Sequence, residues 1–300
     1  MLSAVISDLH LGTRTHTDLL SRTEIRKRLL EALAEADHVV LLGDSIELRD
    51  DPLVESLERA SPFFAALSEV LGPRPVTLVP GNHDHQLAAG RLVRGDSLGL
   101  EQLYEVEPGD PLGQVVRCMG RTRVRLAYPG LWLRPDVYAT HGHYLDCHRD
   151  ARTFECRARA VTERVLRTPS VGYRSPDDYE AVLAPIYRLI HWSVQTRGLR
   201  TGAHAAKALV RRWERPRADR GMPGVAAMSQ VRRNLGVDAR HVLFGHLHRP
   251  GRWETTGGTE LINTGCWVSD ATSISPGSYV LVRDDAPPEL NLCTDPLIPR

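Results

Sequence analysis

Val76-Thr77-Leu78-Val79-Pro80-Gly81-Asn82-His83-Asp84 is the stretch that decides the fold. A β-branched apolar run stops at a proline and a glycine, then releases an amide, an imidazole and a carboxylate in succession. The same grammar recurs four times. Ala4-Val5-Ile6 leads to Asp8-Leu9-His10, and Val39-Val40-Leu41-Leu42 leads to Gly43-Asp44. Val137-Tyr138-Ala139-Thr140 leads to His141-Gly142-His143, and Val242-Leu243-Phe244 leads to Gly245-His246-Leu247-His248. Short apolar runs of this kind read as strands. The strand ends of an α/β sheet are where ligand sites gather.

Between the early strands the apolar period lengthens to that of a helix. Leu19, Ile25, Leu29, Leu30 and Leu33 predict a helix over about 18–36, and Leu53, Leu57, Phe63, Phe64, Leu67 and Val70 a second over 53–71. Strands joined by helices predict parallel pairing with helical crossovers. From about residue 112 the texture changes. Val115–Cys118 and Val124–Ala127 read as strands of another sheet around a turn at Gly120-Arg121, with further strands at 241–244, 259–263 and 278–283. The proline- and glycine-bearing segment 215–224 reads as a loop.

The chain has 300 residues, 42% of them hydrophobic, and a net charge of +1, which fits one large α/β domain or a domain with an insertion. The sequence has no apolar run long enough for a transmembrane helix. It enters its first strand at Leu2, so a cytoplasmic address is expected. Five irregularly spaced cysteines give neither a disulfide framework nor a CxxC metal site, and Cys147 reads as a small buried thiol. All but Lys27 and Lys207 of the 38 basic residues are arginine, which fits either phosphate recognition or genome base composition. The charge is uneven. Between Arg149 and Arg233, 17 Arg and one Lys face eight acids, while the remainder is net acidic. Such a segment suits anionic partners.

Asp8, His10, Asp44, Asn82, His141, His246 and His248 are oxygen and nitrogen donors of the kind that hold divalent metals. Seven donors suffice for two ions with positions left for water and substrate. Asp44 can bridge through its two oxygens, and Asn82 adds an uncharged oxygen. A metal pair clamps the attacking and leaving oxygens of an in-line phosphoryl displacement.

This set of five motifs resembles the calcineurin-like metallophosphoesterase superfamily over 1–148 and about 238–283. The resemblance implies a four-layer α/β/β/α sandwich with the dimetal centre at the strand ends. It implies that Asp8, His10, Asp44 and His248 hold one metal, and Asp44, Asn82, His141 and His246 the other. His83 would then contact the phosphate or protonate the leaving group, and Glu47 would orient His83. The second histidine of the pair, His143, would face solvent. Protein phosphatases of the superfamily carry Gly-Asp-x-Val-Asp-Arg-Gly. Here Gly43-Asp44-Ser45-Ile46-Glu47-Leu48-Arg49 puts Leu48 at the substrate-binding arginine, with Arg49 one position off. The Gly-Asp-x-x-Glu form, and Asn263-Thr264-Gly265-Cys266-Trp267, are similar to UDP-2,3-diacylglucosamine pyrophosphohydrolases. Those enzymes also insert a helical cap, though a shorter one, and carry Arg in place of His83.

The domain reading is therefore a metallophosphoesterase core over 1–148 and 234–300 and a basic helical cap over 149–233. Tyr179, Ile186, Ile190, Trp192 and Trp213 read chiefly as packing between cap helices, with an acyl groove as the alternative. Asp146, His148 and Asp150 read chiefly as surface hydrogen bonding, with an acid that supports a ligand, or a substrate contact, as the alternative. The expected activity is hydrolysis of a phosphodiester or pyrophosphate bond by a metal-activated water, with two divalent ions (Mn, or Fe, Zn or Co). The expected substrate is anionic, lipid-linked or a nucleotide sugar, with Arg49 and cap arginines as candidate contacts. The basic cap would make peripheral contact with the inner membrane face. A cyclic nucleotide phosphodiesterase, a nuclease and a non-catalytic scaffold are the alternatives. The sequence sets no oligomeric state.

Overall fold

The apolar runs stack as two sheets. The computed structural model describes residues 1–15, 17–92, 97–106, 109–149, 162, 172–196, 223–269 and 273–293. Its strands are β1 (Leu2–Ile6), β2 (His38–Leu42), β3 (Val76–Val79), β4 (Gln102–Glu105), β5 (Val124–Tyr128), β6 (Gly130–Arg134), β7 (Val137–Thr140), β8 (His241–Phe244), β9 (Gly251–Glu254), β10 (Glu260–Asn263), β11 (Ser278–Arg283) and β12 (Glu289–Leu292). Its α-helices are α1 (Thr23–Leu33), α2 (Leu53–Leu71), α3 (Gln86–Leu92), α4 (Leu112–Cys118), α5 (Pro176–Gln195) and α6 (Pro223–Asn234). One sheet runs β12-β11-β1-β2-β3-β5-β4 and the other β6-β7-β8-β10-β9. β1, β2, β3 and β5 pair in parallel, as helical crossovers require, and so do β7, β8 and β10.

Alternation along each strand builds the layers. Ala4, Ile6, Val39, Leu41, Val76 and Leu78 share a cluster with residues of α1, α2 and α4. Their neighbours Val5, Val40, Leu42 and Val79 meet Val137, Ala139, Leu243 and Ile262 of the other sheet. On the far side, Tyr138, Val242, Phe244 and Leu261 pack with Tyr179, Leu183 and Ile186 of α5 and Met228 and Val231 of α6. The result is the expected α/β/β/α sandwich. Its central strands are buried on both faces, which is why they read as unbroken apolar runs.

Four expectations change. Val124–Ala127 is a strand, but β5 pairs in parallel with β3 and so belongs to the sheet of β1, β2 and β3 rather than to another. Val115–Cys118 is not a strand but part of α4, because Leu112, Val115 and Met119 recur at spacings of three and four and are buried together. An apolar run this short does not distinguish the two periods. The first helix starts late. Asp18 caps a short 3-10 turn by accepting the Ser21 N–H, and extended backbone at Arg22 separates that turn from α1. The expected loop 215–224 is already helical at Pro223, a residue whose fixed φ suits the first helical position. The remainder of that loop, Trp213 and most cap arginines lie outside the described residues. Among the described residues, no helix is long and apolar enough to cross a membrane.

Two positions on α2 test the layering. Phe64 is fully buried against the first sheet, whereas Val54 is 53% exposed. Phe64→Ala should cost about 3–5 kcal/mol in denaturant unfolding, and Val54→Ala less than about 0.5 kcal/mol. Equal costs would contradict this packing.

Candidate metal centre

The strand ends turn their donors to one point by an unusual backbone choice. Asp8, His10, Asp44, His246 and His248 all have positive φ, between 46° and 69°. Non-glycine residues seldom adopt this region, and each such residue costs on the order of 1–3 kcal/mol. The turns are held by pairing between loops. The N–H groups of Asp8, His10 and Leu11 donate to the carbonyls of Gly43, Asp44 and Ser45, and Gly245 N–H donates to His141.

The seven expected donors converge as two adjoining clusters. In one, His248 Nε2 lies 3.3 Å from both Asp8 Oδ1 and His10 Nε2. In the other, Asn82 Oδ1 lies 3.1 Å from His141 Nε2 and 3.0 Å from His246 Nδ1. Asp44 joins them: its Oδ2 is 3.8 Å from His10 Nε2 and 3.4 Å from His141 Nε2. Its Oδ1 accepts the His83 N–H instead, so one oxygen rather than two faces both clusters.

The imidazole protons are set from behind. His141 Nδ1–H donates to the Leu42 carbonyl at 3.0 Å, so a neutral His141 presents Nε2 as a lone pair. His246 Nε2–H donates to Asp146 at 2.9 Å, leaving Nδ1 facing inward. Glu47 Oε2 accepts from His10 Nδ1 at 3.1 Å and from His83 Nδ1 at 2.8 Å. Lone pairs this close repel unless something positive lies among them, either added protons on the rings or a metal ion. Turned over, the Asn82 amide would donate to these atoms and offer its oxygen to Arg49 Nη2 at 2.9 Å. The oxygen-inward orientation is the one a cation selects. Backing of ligating histidines by carboxylates and carbonyls is the usual support of a metal site, and the residues fit a divalent pair.

Several supporting residues were not legible in the sequence. Asp146 is buried rather than on the surface, and it orients His246. Glu47 orients His10 as well as His83. Asp84 accepts from the N–H groups of Gly81, Ser45 and Ile46, stitching two of the loops together. Asn263 bridges the carbonyl of Gly245 and the N–H of Gly265. The available signal was the clustering of acids inside or just after the motifs. Ligand spacing gives no rule for which acid binds and which supports.

His143 does not face solvent. It is 1% exposed, and its Nε2 lies 3.3 Å from the Tyr128 hydroxyl. Arg49 does reach the site: its Nε donates to the Asn82 carbonyl at 3.1 Å, and its guanidinium lies 5.6 Å from the centre of the Tyr187 ring. Tyr179 and Ile186 are packing residues, Ile190 packs partly, and Trp192 is exposed. Cys147 is a buried free thiol. His148 is bound to the Tyr179 hydroxyl at 2.7 Å.

A family model described as calcineurin-like phosphoesterase matches residues 1–250. The chain belongs to this family and is accordingly a metal-dependent phosphoric ester hydrolase. No curated protein matches it. Solved structures with a similar outline include a dimetal phosphatase from Danio rerio, at 14% identity and a TM-score of 0.41, covering 98% of this chain and 99% of that one. An archaeal phosphodiesterase aligns at 11% identity and a TM-score of 0.38, covering 97% and 99%. A metallophosphoesterase from Sphaerobacter thermophilus aligns at 13% and 0.36, covering 95% and 84%.

The metal-free rings make metal binding dependent on pH. Burial alone would lower the pKa of His10, but the Glu47 bond and the Asp44 charge raise it to about 9. Burial likewise opposes His141, and Asp44 raises it to about 10. Both rings then hold an extra proton at neutral pH, and a ligating nitrogen must lose it. Affinity for Mn²⁺ should therefore rise with pH through neutrality, by up to ~100-fold per unit while two protons leave, and level off above these pKa values. Calorimetry in buffers of different ionisation enthalpy at pH 7 reads the protons released. Affinity independent of pH would show that the rings are neutral.

Proposed function

We propose that the chain hydrolyses a phosphodiester or pyrophosphate bond in an anionic, amphiphilic substrate. The observation that carries this reading is the convergence of seven donors from five strand-end loops, with imidazole lone pairs fixed inward by Leu42 and Asp146. Asp8, His10, Asp44 and His248 would hold one ion, and Asp44, Asn82, His141 and His246 the other. The mixed nitrogen and oxygen set accommodates Mn, Fe, Zn or Co, and we favour Mn. When bound, such a pair supplies positive charge for the phosphoryl oxygens and a water acidic enough to attack phosphorus near neutral pH.

The remaining chemistry falls to side chains beside the pair. Arg49, anchored on the Asn82 carbonyl, presents a guanidinium to the non-bridging oxygens of the phosphate. His83 is fixed by Glu47, and burial holds its pKa at about 4, so the ring enters the reaction neutral. As the substrate's negative charge raises its pKa, the ring would draw a proton from solvent onto Nε2 and pass that proton to the leaving oxygen. The amphiphilic substrate is supported by the basic character of 149–233 and by the exposed Leu189 and Trp192 on α5. A panel of phosphomonoesters, diesters and nucleotide-sugar lipids with added Mn²⁺ tests the substrate class. Turnover of monoesters alone would reject it.

Two substitutions separate the roles. Asp44→Ala removes the oxygen common to both clusters, so bound metal and hydrolysis should both collapse. Wild-type metal content with near-normal rate would sink the dimetal reading. His83→Ala should keep both ions and lose on the order of 10²–10⁴-fold in rate on an alkyl ester, the range for general acid catalysis. The loss should be smaller with p-nitrophenol as leaving group. Departure of one metal equivalent would instead make His83 a ligand.

A further inference from the structure

A buried carboxylate on the inserted segment is tied to the metal-bearing loops. Glu180 lies on α5 and is 8% exposed. Its Oε2 accepts from His85 Nε2 at 2.8 Å, and its Oε1 accepts from the hydroxyls of Tyr128 at 2.5 Å and Tyr144 at 2.8 Å. Burying a charge is costly unless it is fully hydrogen-bonded. Burial pushes this carboxyl up, yet His85 and the two tyrosines hold it below the usual carboxylate range.

The partners say what the arrangement is for. His85 closes the loop that carries Asn82 and His83. Tyr144 belongs to the short turn over 143–148, which follows His141 and includes Asp146, the partner of His246. Tyr128 touches His143 at the start of that turn. One carboxylate thus fastens the supports of Asn82, His141 and His246. Among the described residues, none of its hydrogen bonds reaches the loops of Asp8, His10 or His248.

We propose that Glu180 is a positioning residue for the Asn82/His141/His246 half of the metal centre, so that the inserted helix is part of the catalytic site. The inference rests on the two-metal reading above.

The test is Mn²⁺ titration of the metal-free full chain by calorimetry, with electron paramagnetic resonance to distinguish coupled pairs from single ions. Wild type should bind two ions as a coupled pair. Glu180→Ala should weaken one of the two sites by ~10–100-fold, the usual cost of losing an outer support, and give a single-ion spectrum at limiting metal. Glu180→Gln keeps one acceptor oxygen for the tyrosines and should weaken the same site less. Leu183→Ala, buried on the same helix, should lower Tm while leaving both sites intact. A wild type binding fewer than two ions would overturn the metal reading and this proposal with it. Two intact sites in Glu180→Ala would overturn the proposal alone. So would an equal loss in Leu183→Ala, which would reduce the effect to a loosened helix. Should Glu180→Ala fail to fold, Glu180→Gln decides: unchanged affinity at both sites overturns the proposal.

Discussion

Everything in this structure answers to one constraint: donors from five loops must approach within 3–4 Å although they repel one another. A sheet solves the first half of that problem. Parallel strands end side by side, so residues far apart in sequence share one edge. The second half is local. At Gly43, φ is +84° and a Cβ would collide with the His141 ring; at Gly81 a Cβ would strike both Asp44 and His141. Glycine is required there by the close approach as much as by the turn.

The strained positions follow from the same constraint. Along a strand, side chains alternate between faces, so Asp8 and His10 would share a face but point away from the sheet edge. Positive φ at both bends the chain so that both reach the centre. The cost is met by the pairing of the two loops through Asp8, His10 and Leu11, and by packing behind them, where Trp267 is fully buried and its N–H donates to the Asp8 carbonyl. Strain of this kind persists only where the surrounding structure over-determines it.

The central strands were legible because burial on both faces leaves a continuous apolar run, and the strand-then-donor grammar located all seven converging side chains. The edge strands β4, β6, β9 and β12 were not: β4, β9 and β12 are short and mostly polar and no residue in them is buried, and β6 follows β5 after a single residue, so no break in the sequence marks it. Nor was α4, whose short apolar run fits two periods. Asp84 was quoted without a role and Asp146 was read first as surface hydrogen bonding, since their partners are backbone N–H groups and a histidine remote in sequence. Sequence periodicity reports which face is apolar. It carries no information on which carboxylate ends up behind which imidazole.

That last gap has an electrostatic consequence. Asp8, Asp44, Glu47, Asp84 and Asp146 are all at most 3% exposed, and they lie within one group of loops. So many buried carboxylates cannot all stay ionised without nearby positive charge. Burial and the Asp44 charge push Asp84 up to about 6, while Asp8 and Asp44 are held low against their burial, chiefly by the histidines that face them. Without metal, the raised pKa values of His10 and His141 favour protons there as the compensating charge, and divalent ions would supply more charge in their place. Ion binding and folding are therefore linked in this molecule. The buried acids behind the donor histidines strengthen that linkage, because they raise the negative potential at the place where a cation would bind.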